Sequence, residues 1–201
     1  MATAVGIAVL AYLAGSIPAA YLVARAAGGV DIRRVGEGNA GARNVFHEVG
    51  TAPGLVVFAV DIAKGAVVGL AFGSGPLWQT ALAGVFLVIG HAFPVWLGFV
   101  GGKGLAAAGG FSIALMPWAA LAGTVAAVLA WPVTRRFLPT LVPAVVVMFV
   151  AAPFTGVAWP VIGAALGTFV LVGAKRAVDE PRMRRIEAET GWDRAAGGTR
   201  R

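Results

Sequence analysis

Two stretches of this chain set anion-binding groups among glycines. Lys103 stands inside Gly101-Gly102-Lys103-Gly104, at the end of a long apolar run. Glycine lets a backbone approach a ligand closely, and a lone ammonium at a membrane edge is costly unless it snorkels to water or meets an anion. In residues 31–50, DIRRVGEGNAGARNVFHEVG, Gly36, Gly38 and Gly41 are interleaved with Asn39, Asn44, Arg33, Arg34 and Arg43. Inward-turned backbone N–H groups and guanidinium forks suit a phosphate. The same stretch also reads as a basic loop that sets membrane topology. His91, just before Phe93-Pro94, offers an imidazole as general base or as donor to a charged ligand. Its other reading is a satisfied packing residue in an apolar helix.

Several chemistries are excluded. A nucleotide-binding P-loop, GxxxxGK[ST], would need glycine at Leu97 and a hydroxyl at Gly104. The sequence has no GxSxG elbow for a serine nucleophile. With no cysteine there is no disulfide, thiol nucleophile or thiolate metal site. The two histidines, His47 and His91, lack a carboxylate or cysteine cluster at ligand spacing, so no metal and no cofactor are expected. Asp61 and Lys64, three residues apart, share a helix face and are expected to pair.

The elements that carry these groups are membrane helices. The 201 residues are 59% hydrophobic and only 12% charged. Apolar segments fall at about 4–26, 53–72, 78–100, 117–133, 139–154 and 157–174, with a shorter one at 104–116. Between residues 51 and 174 the only charges are Asp61, Lys64, Lys103, Arg135 and Arg136. Six crossings would put Arg135 and Arg136 opposite the basic block 25–50; a seventh, short or re-entrant crossing at 104–116 puts every cationic block on one side. The expectation is an all-α, seven-helix polytopic protein with its N-terminus outside. Residues 1–174 are expected to form one transmembrane domain with cytoplasmic motif loops at 27–52 and 101–110, and 175–201 a basic cytoplasmic tail whose end, AAGGTRR, is expected to be disordered. The net charge of +7 flanks apolar segments rather than forming a soluble basic face, which argues against nucleic acid as a partner. The 29 glycines suit closely packed transmembrane helices.

Taken in order, AGSIPAAYLVAR (14–25), GVDIRRVGEGNAGARNVFHEVG (29–50), VVFAVDIAKGA (56–66) and IGHAFPVWLGFVGGKGLA (89–106) resemble the bacterial PlsY family of glycerol-3-phosphate acyltransferases. The resemblance covers almost the whole chain. It implies a seven-helix enzyme of the bacterial cytoplasmic membrane that moves an acyl chain from acyl-phosphate to the 1-hydroxyl of glycerol-3-phosphate. Lysophosphatidate and phosphate would be the products, in phospholipid synthesis, with membrane lipids around it. Two phosphate-bearing substrates would account for two glycine-and-cation cradles. His91 and Lys103 are then the expected catalytic pair. Arg33, Glu37, Gly38, Asn39, Gly41, Arg43, Asn44, Gly101, Gly102, Gly104, Arg182 and Arg185 are the expected phosphate-binding set.

The chain departs from the family's pattern at definite positions. Where the first loop of the family has GSGNxGATNxxR, Glu37 replaces the serine, Arg43 the threonine and His47 the arginine. After GGKG the family's VAT becomes Leu105, Ala106 and Ala107. In the third motif, HRxNIxRLLxGTE, the histidine falls near Asp179, the asparagine becomes Arg182, and GTE appears as Glu189, Thr190 and Gly191. A carboxylate at Glu37 repels phosphate unless Arg43 neutralises it. These departures support a second reading, a diverged non-catalytic relative that binds a phosphorylated lipid or another anion in the membrane.

Overall fold

The computed structural model describes residues 1–135, 137–193 and 199–200. Among them the chain is helical: α1 (Ala2–Ser16), α2 (Ala19–Gly28), α3 (Ala42–Glu48), α4 (Thr51–Phe72), α5 (Leu77–Ala92), α6 (Leu105–Leu115), α7 (Pro117–Thr134), α8 (Phe137–Ala151) and α9 (Trp159–Thr190). Loops join these helices, and the other regular elements are short 3-10 turns and one two-residue antiparallel ladder, Trp192–Asp193 against Thr199–Arg200. Five helical stretches are long and apolar enough to cross a bilayer: Ala2–Gly28, Thr51–Phe72, Leu77–Leu97, Pro117–Thr134 and Trp159–Thr190. Two further apolar helices, Leu105–Leu115 and Pro139–Thr155, are shorter. The protein is an all-α integral membrane protein, and its helical stretches match the seven apolar segments read from the sequence.

The first span is broken at Ile17 and Pro18. Proline has no N–H and clashes with the preceding turn, and the amide of Ala19 turns to the carbonyl of Ile17, 3.0 Å away, leaving Gly15 without its helical donor. Lys64 of α4 supplies the replacement. Its Nζ donates to the carbonyls of Gly15 at 3.0 Å and Ile17 at 3.2 Å while pairing with Asp61 Oδ1 at 2.8 Å. The expected Asp61–Lys64 pair therefore exists and satisfies backbone that a bilayer could not hydrate.

Glycine contacts bring the helices that carry the site together. A Cβ on Gly15 would strike the carbonyl of Leu87, and one on Gly90 that of Tyr12, so α1 and α5 touch backbone to backbone. Gly65 and Gly110 do the same for α4 and α6, against Ala107 and Ile62. Close approach through small residues gains dispersion contact where no hydrophobic drive between helices exists. With 11 residues, α6 is roughly 16 Å long, about half the hydrocarbon thickness. Ala107, Ala108, Phe111 and Ser112 on it are fully buried, so it is sheltered by its neighbours as a short segment must be.

Three expectations need correction. The helix predicted to run to residue 100 ends at Ala92, because Pro94 and the turn Val95–Leu97, closed by Gly98 at φ +61°, fold the chain back. A seven-residue helix, α3, forms inside the motif loop 27–52. The segment 175–201, expected as a tail, continues α9 as far as Thr190. Its inward face carries Lys175, Asp179, Met183 and Glu187 at four-residue spacing, all buried. Three of those four are charged, so hydropathy does not register the face. Arg136, and residues 195–198 and 201 of the AAGGTRR end, lie outside the described residues.

Candidate active site

The motif loop is a built structure. Ile32, Ala40, Ala42 and Val45 pack with Ala20, Ala24 and Val57 in one apolar cluster that ties the loop to α2 and α4. Asn44, fully buried, staples its polar backbone: Nδ2 donates to the carbonyls of Ile32 (2.8 Å), Val35 (3.0 Å) and Asn39 (3.1 Å), and Oδ1 accepts the N–H of Glu37 at 3.1 Å. Gly36 and Gly38 adopt φ of +57° and +65°, and a Cβ on Gly38 would strike Ile186 of α9. From the same helix Arg182 Nη2 donates to the carbonyl of Gly38 at 2.9 Å, and Thr190 Oγ1 to that of Gly36 at 3.1 Å. Arg33 grips Asp31 at 2.7 Å, donates to the carbonyl of Leu97 at 2.8 Å and lies over the Tyr21 ring. These bonds hold the Asp31 carboxyl below its usual range.

This frame walls a cavity of about 170 Å³. Its polar lining is Glu37, Asn39, Arg43, Asp61, His91 and Lys103, with Gly41, Gly104 and Arg176 beside them. Arg43 Nη1 lies 3.0 Å and Lys103 Nζ 3.8 Å from the same oxygen, Glu37 Oε2. Asn39 Nδ2 donates to Oε1 at 3.4 Å. His91 is 7% exposed; its Nδ1 stands 3.7 Å from Asp61 Oδ1 and has no hydrogen-bond partner among the described residues. Its Nε2 lies against Gly102, where a Cβ would strike both that nitrogen and the carbonyl of Ala40. Glycine at 102 lets the Gly-Gly-Lys-Gly strand pass between His91 and the motif loop.

The expected set thus divides. Glu37, Asn39, Gly41, Arg43, His91, Lys103 and Gly104 come together at the cavity. Arg33, Gly38, Asn44 and Arg182 support the loop from behind, and Arg185 is exposed on α9 away from the cavity. The expected glycine cradles are also corrected. The amides of Gly101 and Gly102 donate to the carbonyls of Ala92 and His91, both at 3.1 Å, and those of Gly38 and Gly41 to Val35 and Asn39, both at 3.0 Å. Those N–H groups close turns and are not aimed at an anion, so the positive character of the cavity comes from side chains. Two charged lining residues were missing from the expected site. Asp61 was read only as the partner of Lys64, although a carboxylate in an apolar helix is itself a signal of function. Arg176 was read only as a topology charge, and nothing in its surroundings along the chain distinguishes it.

Beside the polar cavity lies an apolar one of about 380 Å³, between α4, α6, α7, α8 and α9. Phe58, Leu105, Ala106 and Leu141 line both, so the two share a wall. Deeper in, Gly109, Ile113, Val145 and Met148 continue an apolar lining.

A sequence model of the glycerol-3-phosphate acyltransferase family matches residues 5–180. The glycerol-3-phosphate acyltransferase of Anaeromyxobacter dehalogenans (strain 2CP-1) is 47% identical over 131 residues, 62% of this chain and 65% of its own length. That of Synechococcus elongatus is 45% identical over 129 residues, 59% of this chain and 61% of its own. The chain thus spans just under two thirds of the length of these curated relatives. Two crystal structures of PlsY, described as an integral membrane glycerol 3-phosphate acyltransferase, superpose on 91% of this chain and 92% of theirs. The glycerol 3-phosphate form gives a TM-score of 0.76 at 31% identity, and the lysophosphatidic acid form 0.73 at 29%. With a match over most of its length, the chain belongs to the glycerol-3-phosphate acyltransferase family.

Proposed function

We propose that the protein transfers an acyl chain from acyl-phosphate to the 1-hydroxyl of glycerol-3-phosphate, releasing lysophosphatidate and phosphate for phospholipid synthesis. One observation carries this reading: a cavity lined by Arg43, Lys103, Arg176 and His91 shares a wall with a larger apolar cavity between helices. Such a pair of compartments suits a substrate with a phosphorylated head and an alkyl chain. The relatives' names, and the glycerol 3-phosphate and lysophosphatidic acid forms of PlsY, support the same substrates.

In this reading Lys103 and Arg43 hold phosphate charge, and His91 accepts the proton of the attacking hydroxyl. The hydroxyl oxygen forms the ester bond to the acyl carbon. The bond from that carbon to the phosphate oxygen breaks, and phosphate leaves with the electron pair. An acyl-phosphate is a mixed anhydride and already activated, so alignment of the two substrates is the protein's main task. The positive-inside bias supports an orientation with the N-terminus outside and residues 27–52, 101–103, 134–138 and 175–201 in the cytoplasm, in a bacterial cytoplasmic membrane.

The test is the purified protein in lipid, given acyl-phosphate and glycerol-3-phosphate, with lysophosphatidate and released phosphate measured together. Equal amounts of both are expected. Glu37, sitting on the two cations, favours the second reading of a non-catalytic anion binder. Retained glycerol-3-phosphate binding without any lysophosphatidate would establish that reading and refute ours.

A further inference from the structure

We propose that Glu37 is a built-in occupant of the anion site, which an incoming phosphate group must displace, and that this competition sets the protein's affinity for phosphorylated substrates. The inference rests on the reading of Arg43 and Lys103 as the phosphate cations. Both approach a single carboxylate oxygen, Oε2, at 3.0 and 3.8 Å, while Asn39 Nδ2 reaches the other at 3.4 Å. Carboxylate and phosphate oxygens compete for the same charge-assisted donors. Glu37 is 2% exposed and still lines the cavity, so its charge stands in the wall of the space the ligand must enter. A phosphate cannot bind beside it unchanged. Either the carboxylate keeps Arg43 and repels the ligand, or it gives up its cations and moves.

The bonds that hold the backbone around Glu37 do not involve its side chain. The backbone at Glu37 is anchored, because its N–H is held by Asn44 Oδ1 at 3.1 Å and the carbonyls of Gly36 and Gly38 are bound by Thr190 and Arg182. Displacement therefore needs only rotation of the Glu37 side chain, and the motif loop can stay in place. A phosphate dianion brings more charge and more acceptor oxygens than one carboxylate, so it can win the cations where a monoanion such as chloride cannot. The apparent dissociation constant of any phosphate ligand is raised by the inverse of the fraction of molecules with the site vacated. If the carboxylate holds the cations in about nine molecules of ten, removing it tightens binding roughly tenfold.

The test measures binding alone, by calorimetry on the full chain in lipid nanodiscs, with glycerol-3-phosphate and with inorganic phosphate as probes. Glu37→Gln and Glu37→Ser, each checked for folding by circular dichroism and thermal melting, are expected to bind both probes about tenfold more tightly than the native protein. Unchanged or weaker binding in either folded variant overturns the proposal. A second measurement needs no variant: infrared difference spectra of the native protein on adding phosphate should show a carboxylate stretching band shift. A spectrum without a carboxylate change overturns the proposal as well. Neither readout involves acyl transfer. Tighter binding on loss of Glu37 in a protein that makes no lysophosphatidate would refute the acyltransferase reading and sustain this one.

Discussion

Lys64 reaches from α4 to the carbonyl oxygen of Gly15, 3.0 Å away, at the point where Pro18 interrupts the first span. The contact is both a salt-bridge partner for Asp61 and a substitute for a missing helical donor. Lys64→Met removes the charge and the donor and leaves Asp61 buried without its cation. Breaking a buried pair from one side costs about 3–5 kcal/mol. The variant should melt well below the native protein in detergent, and a melting temperature within error of native would show that the pair carries no stability.

Lys103 is the cation whose loss should affect chemistry without affecting the fold. Lys103→Met keeps the apolar stem and deletes the point charge that binds phosphate in the proposed function. Turnover should fall by about 10²–10³-fold, the range seen when one electrostatic stabiliser of a transition state is removed. Melting should stay close to native. Full activity in this variant would reduce Lys103 to a topology determinant.

Arg43 and Glu37 form one unit in the cavity wall, so their substitutions should not add. Arg43→Thr alone leaves a buried carboxylate leaning on Lys103, whereas Glu37→Ser with Arg43→Thr removes both charges. The double variant should be more active than Arg43→Thr, and its effect should differ from the sum of the two single effects by an interaction energy of about 0.5–3 kcal/mol. Rates of lysophosphatidate formation for the native protein, both single variants and the double variant close the cycle, and additive effects would show the two residues to be independent.

His47, outside the membrane spans, reports on the same pair. Desolvation against its neighbours lowers its pKa below the ordinary 6.5, and the positive charge of Arg43 lowers it further, while Glu37 and Glu48 oppose. Loss of the cation in Arg43→Gln should therefore raise the titration midpoint. Loss of the carboxylate in Glu37→Gln should lower it. The imidazole C2 proton resonance of His47, identified by its disappearance in His47→Gln, measures both, and shifts of the opposite sign would contradict the placement of Arg43 and Glu37 beside the ring.

Orientation can be tested cleanly because the chain has no native cysteine. A single cysteine at Arg135 should react with an impermeant maleimide only after cells are opened, since the proposed seven-crossing orientation puts that residue on the cytoplasmic side. Labelling from outside intact cells would invert or renumber the crossings.

The sequence by itself determined the class of the molecule and most of its parts. Bilayer thickness demands long apolar runs, so the helical spans, and the short segment that became α6, could be read directly. The Asp61–Lys64 pair was legible from its spacing on one helix face. His91, Lys103, Arg43, Asn39 and Glu37 could be named because glycine, cation and amide in alternation suit few ligands. Only the tertiary structure decided which of the named residues face the cavity. Arg33, Asn44 and Arg182 have the side chains of phosphate binders, yet Arg33 spends its donors on Asp31 and the carbonyl of Leu97, and Asn44 and Arg182 donate to backbone carbonyls; donor inventory alone does not tell a ligand from such partners. The amides of Gly101 and Gly102 were likewise claimed by Ala92 and His91. Arg176 entered the cavity lining because α9 continues past the apolar stretch, held by a buried face of charged residues that hydropathy reads as solvent-exposed. Long-range pairing of this kind depends on where helices meet, and that is set by glycine contacts such as Gly65 with Ala107, which look the same in the sequence as any other small residue in a membrane helix.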